Sequence, residues 1–179
     1  MKKLLSAACC AGVVMAVIAH DNPGRALTVN GTAEATIIDA IVFSTADVLN
    51  FGTISPGAAS SVVTIAPNTG ARTVSGDASL VPGGGEQDGT FSLDGTDGEV
   101  MTVDIPANGD VTLTATLDTL DVNDFKWSYN GGAVNNTDGT LTLATGGPHV
   151  FSVGAALTVP ANAVANDYTG TYSVTINYQ

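Results

Sequence analysis

From Tyr168 to Tyr178 the chain alternates without a break. Tyr168, Gly170, Tyr172, Val174, Ile176 and Tyr178 hold the even positions, with Thr169, Thr171, Ser173, Thr175 and Asn177 between them. A period of two puts one set of side chains on each face of a strand, whereas helix faces repeat every 3.6 residues. The stretch therefore reads as a strand with one apolar and one hydroxylated face. After residue 26, no segment of ten or more residues carries the helical period. Short runs rich in Thr and Val are separated by turn clusters such as "SPGAAS", "PNTG", "PGGGEQDG", "DGTDGE" and "NGGAVNNTDG". Strands of this length, with Gly, Pro, Asn or Asp in nearly every gap, predict an all-β antiparallel sandwich. The expected strands are 27–37, 38–44, 48–54, 61–66, 72–81, 89–94, 99–105, 110–117, 124–129, 139–144, 149–159 and 168–178.

A second regular stretch, "LTVNGTAEATI", lies near the other end. Leu27, Val29, Gly31, Ala33, Ala35 and Ile37 form its apolar face, and Thr28, Asn30, Thr32, Glu34 and Thr36 its polar one. The apolar face is nearly all small. Alternation alone leaves open whether this strand pairs with its own chain or is donated to a neighbouring one.

Ahead of it, Met1, Lys2 and Lys3 precede an uncharged apolar run from Leu4 to Ala19, the pattern of a secretory signal peptide. Cleavage fits after Ala19 or after Ala26, and the second site places the strand pattern at the start of the mature chain. The expected organisation is thus a signal peptide at 1–26, an N-terminal strand at 27–37 and a β-sandwich domain at 38–179. Both cysteines, Cys9 and Cys10, leave with the leader, so neither a disulfide framework nor a cysteine metal site is expected.

Cleavage also removes Lys2, Lys3, Arg25 and Asp21. Arg72 and Lys126 then face 16 carboxylates, a net charge of −14. Such a surface repels nucleic acid and anionic membranes. Secretion, solubility outside the cell and no nucleic-acid partner are the expectations.

Chemistry-bearing patterns are sparse. His149 is the single histidine after residue 26, in "GGPHVF", and reads as a surface residue beside a turn. No Gly-x-Ser-x-Gly nucleophile elbow accompanies it. Asp94, Asp97 and Glu99, and Asp118, Asp121 and Asp124, offer oxygen ligands of the kind calcium takes, but neither set has the spacing of a calcium loop. They read as turn residues. Trp127 and Tyr129 share a strand face and read as core, with an exposed aromatic platform for a sugar as the other reading. No enzymatic activity, cofactor or metal is expected.

The order "ATIIDAIVF", "LNFGTI", "VTIAPNTGARTVSGDASLV", "GTFSLDG", "FSVGAALTVPAN" and "YTGTYSVTINY" resembles a family of secreted bacterial proteins, domain of unknown function 4402. Leu49, Phe51, Gly52 and Ile54, with Gly170, Tyr172, Val174 and Tyr178, carry the likeness. The resemblance implies an immunoglobulin-like sandwich similar to spore coat protein U and to chaperone–usher pilin subunits. Those pilins lack one strand and are completed by a neighbour's N-terminal extension. Their C-terminal strand carries a penultimate tyrosine, as Tyr178 does here, but their usual glycine fourteen residues from the end is Asn166.

The resulting expectation is a structural subunit of a pilus-like filament or surface coat. Its donor-strand interface would be Leu27, Val29, Gly31, Ala33, Ala35 and Ile37, and its C-terminal groove strand Tyr172, Val174, Ile176 and Tyr178. The implied partners are identical subunits, a periplasmic chaperone and an outer-membrane usher, with the assembled protein at the cell surface. A monomeric secreted sandwich that binds a glycan or other surface ligand is the alternative.

Overall fold

The computed structural model describes residues 29–116 and 118–179, so the expected signal peptide at 1–26, with Leu27, Thr28 and Leu117, lies outside the described residues. The chain divides into two units, Met1–Thr36 and Ile37–Gln179. All regular structure among the described residues is strand: β1 (Val42–Asp47), β2 (Thr53–Ser55), β3 (Ser61–Ile65), β4 (Arg72–Ser75), β5 (Ser79–Val81), β6 (Gly89–Asp94), β7 (Val100–Asp104), β8 (Val111–Thr114), β9 (Thr119–Tyr129), β10 (Gly139–Thr142), β11 (Val150–Val159) and β12 (Thr175–Tyr178).

Every pairing is antiparallel, and the fold of Ile37–Gln179 is a β-sandwich. β11 is the spine of the larger sheet. Its Val150–Val153 half pairs with β6 and its Ala155–Val159 half with β3, while its other edge pairs with β9. β1, β4 and β8 extend that sheet beyond β6, β3 and β9. The smaller sheet runs β10–β7–β12, and β2 and β5 form a separate ribbon. β11 is central because "VFSVGAALTV" is apolar or small at almost every position, as a strand covered on both faces must be. At Gly154 a Cβ would collide with the Ile65 carbonyl and Pro67, so only glycine lets these backbones approach.

An aromatic cluster runs across β1, β6, β9 and β11 of the larger sheet. Trp127 stacks on Phe151 at 5.4 Å and Phe43 on Phe91 at 4.9 Å, with Phe151 edge-on to both Phe43 and Phe91. Such pairs contribute about 0.5–1.5 kcal/mol each beyond the area they bury. Trp127 is 3% exposed and its Nε1 donates to the Thr137 carbonyl at 2.9 Å, so it is core and not a sugar platform.

Several strand expectations change: β1 runs Val42–Asp47 where 38–44 was expected, and β9 begins at Thr119, ahead of the expected 124–129. The run 72–81 is two strands, because Gly76 at φ +113° turns the chain between β4 and β5. Of 48–54 only the end is regular, because Gly52 at φ +70° interrupts it. Of 168–178 only Thr175–Tyr178 is strand; Thr169 makes an isolated bridge to Thr114, yet the even positions are still the more buried ones. Finally, residues 29–37 form no strand and are exposed throughout, Val29 at 92% and Ile37 at 95%. Alternation fixes which side chains share a face, but a strand also needs a partner to bond.

Candidate functional site

The sandwich carries an open groove of about 750 Å³ beside the segment that leads into its last strand. Its floor is made of core side chains: Val111 and Leu113 from β8, Leu120, Val122 and Phe125 from β9, and Leu157 and Val159 from β11. These belong to the inward faces of three neighbouring strands, which the ladder Val111–Val122–Leu157 brings side by side. One wall is the segment Val48–Ile54, and the other runs from Ala163 to Tyr172.

Each wall is hydrogen-bonded on the side away from the opening. Asn50 exchanges both main-chain bonds with Gln87, at 2.9 and 3.0 Å, and Thr169 does the same with Thr114, at 2.7 and 3.0 Å. Gly170 lies so close to the Thr112 carbonyl that a Cβ has no room. In extended backbone, successive residues aim their N–H and C=O groups at opposite sides. The main-chain groups of Leu49, Tyr168 and Gly170, beside these bonded residues, have no main-chain partner among the described residues. An apolar floor between two unpaired backbone edges is the shape left when one strand is missing from a sheet.

Tyr172 closes one end. Its ring packs edge-on against Phe91 at 6.2 Å and tilted on Phe125 at 5.5 Å, and its hydroxyl lies against Gly89, where a Cβ has no room. Burial, helped by the negative charge of Asp88, pushes its pKa up to about 12. The tyrosine is thus neutral at any physiological pH, and the groove end carries no charge from it.

Of the four C-terminal residues singled out in the sequence, Tyr172 alone lines the groove. Val174 packs against the core, Ile176 is buried opposite Val103, and Tyr178 bonds elsewhere. The hydroxyl of Tyr178 accepts from Thr96 N–H at 2.8 Å and donates to the Asp39 carbonyl at 2.9 Å. Asp39 N–H in turn donates to Thr96 Oγ1 at 2.7 Å. This pin holds the chain where it enters the sandwich, ahead of β1, whereas the groove is lined only from Thr45 onward.

Among the N-terminal residues singled out, Leu27 lies outside the described residues; Val29, Gly31, Ala33, Ala35 and Ile37 are exposed. The floor residues were readable as core from their alternation, but nothing in the sequence marked them as uncovered. The small residues Ala163 and Ala165 in "PANAVAND" were the available signal, since a loop wall made of small side chains leaves space beside it.

His149 is not a surface residue; it is 8% exposed. Its Nδ1 lies 2.7 Å from the Tyr129 hydroxyl, which also accepts from Ala144 N–H at 2.9 Å. Two of the acidic turn residues use their carboxylates on main chain, Asp94 accepting from Gly95 N–H and Asp97 from Gly146 N–H, while Asp124 accepts from Asn108 Nδ2. The glycine-rich loop is tied down by Glu86, Gln87 and Asp88, which bond to Arg72, Asn50 and Asn68 N–H.

A family model described as "Domain of unknown function (DUF4402)" matches residues 41–178, and the chain belongs to that family. Comparison with curated proteins and with solved structures finds no match.

Proposed function

We propose that this DUF4402 member is a structural subunit of an extracellular pilus-like filament or surface coat, joined by insertion of residues 27–37 of one copy into the groove of the next. The observation that carries the reading is the groove itself, an apolar floor between two backbone edges with unpaired groups. The occupant is suggested by chemistry. Residues 29–37 are extended in pattern, apolar on one face and without a strand partner. The chain enters the sandwich at Asp39, ahead of β1, and reaches the groove only at Thr45 and beyond, which favours a second copy's extension over the chain's own.

The energetics fit a groove that is formed beforehand. Burying Leu27, Val29 and Ile37 contributes about 1.5–3 kcal/mol each, and each main-chain hydrogen bond adds about 0.5–1.5 kcal/mol. Ordering the incoming backbone costs about 1–2 kcal/mol per residue. The likeness to spore coat protein U and to chaperone–usher pilins belongs to this proposal, as do export through the periplasm and assembly by a chaperone and usher.

Engineered cysteines test it directly, because Cys9 and Cys10 are the chain's only two and both lie in the leader. A chain carrying both Ala33→Cys and Thr169→Cys should form a disulfide-linked ladder of multimers on oxidation. Deleting 27–36 should abolish that ladder and all polymers. Filaments from the deleted chain would overturn the reading. A second reading, a monomer that takes an apolar ligand, is favoured by the cavity volume, which lies within the roughly 300–1,000 Å³ of small-molecule sites. It predicts a monomer at every concentration.

A further inference from the structure

In the stretch "LNFGTI", which builds one wall of the groove, one guanidinium adds to the Asn50–Gln87 bonds and the β2–β5 ladder by holding the Phe51 and Thr53 carbonyls. Arg72 stands opposite Ile65 in the β3–β4 ladder, so its side chain points to the inside of the sandwich, where it is 5% exposed. Its Nη1 donates to the carbonyls of Phe51 at 2.9 Å and Thr53 at 3.1 Å. Its Nη2 donates to the Val81 carbonyl at 2.8 Å and to Glu86 Oε1 at 3.1 Å. Gly52, between the two bonded carbonyls, has φ +70°, and a Cβ there would sit 2.6 Å from Nη1. Glycine is thus required both for the backbone angle and for lying directly on the cation. Asn50 Oδ1 completes the arrangement by accepting from Gly52 N–H at 2.8 Å.

We propose that Arg72 is a positioning residue for strand capture, holding the wall Leu49–Ile54 back from the wall Ala163–Tyr172 so that the groove stays formed before anything enters it. This rests on the strand-insertion reading above. Bonds from a charged donor are roughly twice as strong as neutral ones, and one planar fork reaches three carbonyls and a carboxylate that no lysine could span. The carbonyls of Phe51 and Thr53 are drawn toward β4, not toward the opening. If the wall had to be ordered at the moment of insertion, that entropy would come out of the binding free energy; ordered beforehand, it does not.

The test uses the full secreted chain and a fluorescein-labelled peptide of residues 27–37, with affinity read by anisotropy. The chain is held below the concentration at which copies capture one another's extensions, so the peptide meets an empty groove in every variant. Arg72→Met should weaken peptide capture about tenfold or more through lost preorganisation, while keeping the near-ultraviolet dichroism of Trp127. Amide exchange should accelerate at Leu49–Thr53 and stay unchanged in β3 and β11. Arg72→Lys should fall between, and Glu86→Gln, which leaves the carbonyl contacts, should lose less than about threefold. Capture by Arg72→Met within about twofold of the unaltered chain would overturn the role of Arg72 alone. If that variant loses the dichroism, Arg72→Lys decides, and full affinity there overturns the proposal. Failure of the unaltered chain to take the peptide would sink strand insertion itself, and this proposal with it.

Discussion

Tyr178 and Asp39, at opposite ends of the sandwich domain's sequence, meet through one hydrogen bond of 2.9 Å from the phenol to the main-chain carbonyl. The same oxygen accepts from Thr96 N–H, so a single hydroxyl fixes the last strand, the turn after β6 and the entry of the chain. Tyr178→Phe keeps the ring and removes both bonds. At about 0.5–1.5 kcal/mol per bond, less for the exposed one, the expected loss is about 1 kcal/mol. The thermal midpoint should fall by about 2–4 °C, and a scan of the two proteins checks it.

Tyr129→Phe should cost more for the same chemical change. Its hydroxyl serves Ala144 N–H and the buried His149 Nδ1, and neither has another hydrogen-bond partner among the described residues. Stranding a buried polar group costs about 1–3 kcal/mol. Urea denaturation should show a lower midpoint with an unchanged slope, because the surface exposed on unfolding is the same.

Trp127→Ala removes the ring stacked on Phe151 and the bond to Thr137. Large-to-small changes of buried aromatics cost about 3–5 kcal/mol. The expected outcome is a destabilised or unfolded chain, read by far-ultraviolet dichroism. A stable fold with selective loss of a glycan ligand would instead mark Trp127 as a recognition residue.

Tyr172 makes stability depend on pH in the alkaline range. Its folded pKa of about 12 lies above the unfolded value of 10.0, mainly because burial disfavours the phenolate. The folded state therefore keeps a proton that the unfolded state has lost. The contribution is fully present below pH 10 and is lost as pH rises from about 10 to about 12. Tyr172→Phe should flatten that part of the profile, as measured by urea midpoints between about pH 9 and 12. An unchanged alkaline slope in the variant would show that other groups carry it.

Much of the sandwich was legible in the sequence because sheet formation writes itself as alternation and turn chemistry. β6 falls on 89–94 as its phenylalanine and leucine pattern requires, and β11 covers nearly all of 149–159. What alternation cannot specify is the partner. The even residues of 168–178 face inward as their pattern demands, yet Tyr168 to Val174 forms no ladder beyond the single bridge of Thr169 to Thr114. His149 was misread for a related reason. The turn sequence "GGPH" predicts exposure, but the long-range bond from Leu93 N–H to the His149 carbonyl draws the residue under Tyr129.

The arginine clamp was equally hidden. Nothing local in "GARTVS" says that Arg72 points inward or that Phe51 and Thr53, some twenty positions earlier, present their carbonyls to it. Gly52 was visible as part of a motif, but its need for a positive φ and for the absence of a Cβ becomes apparent only with the guanidinium in place.

β4 is a sheet edge only four residues long, and its first side chain is a charge turned into the protein. Short edges with inward charges resist lateral pairing with other chains. The β4 margin is therefore blunted against lateral pairing. Under the strand insertion proposed above, units add along a line, and a margin blunted in this way would let such a fibre lengthen without thickening on that side.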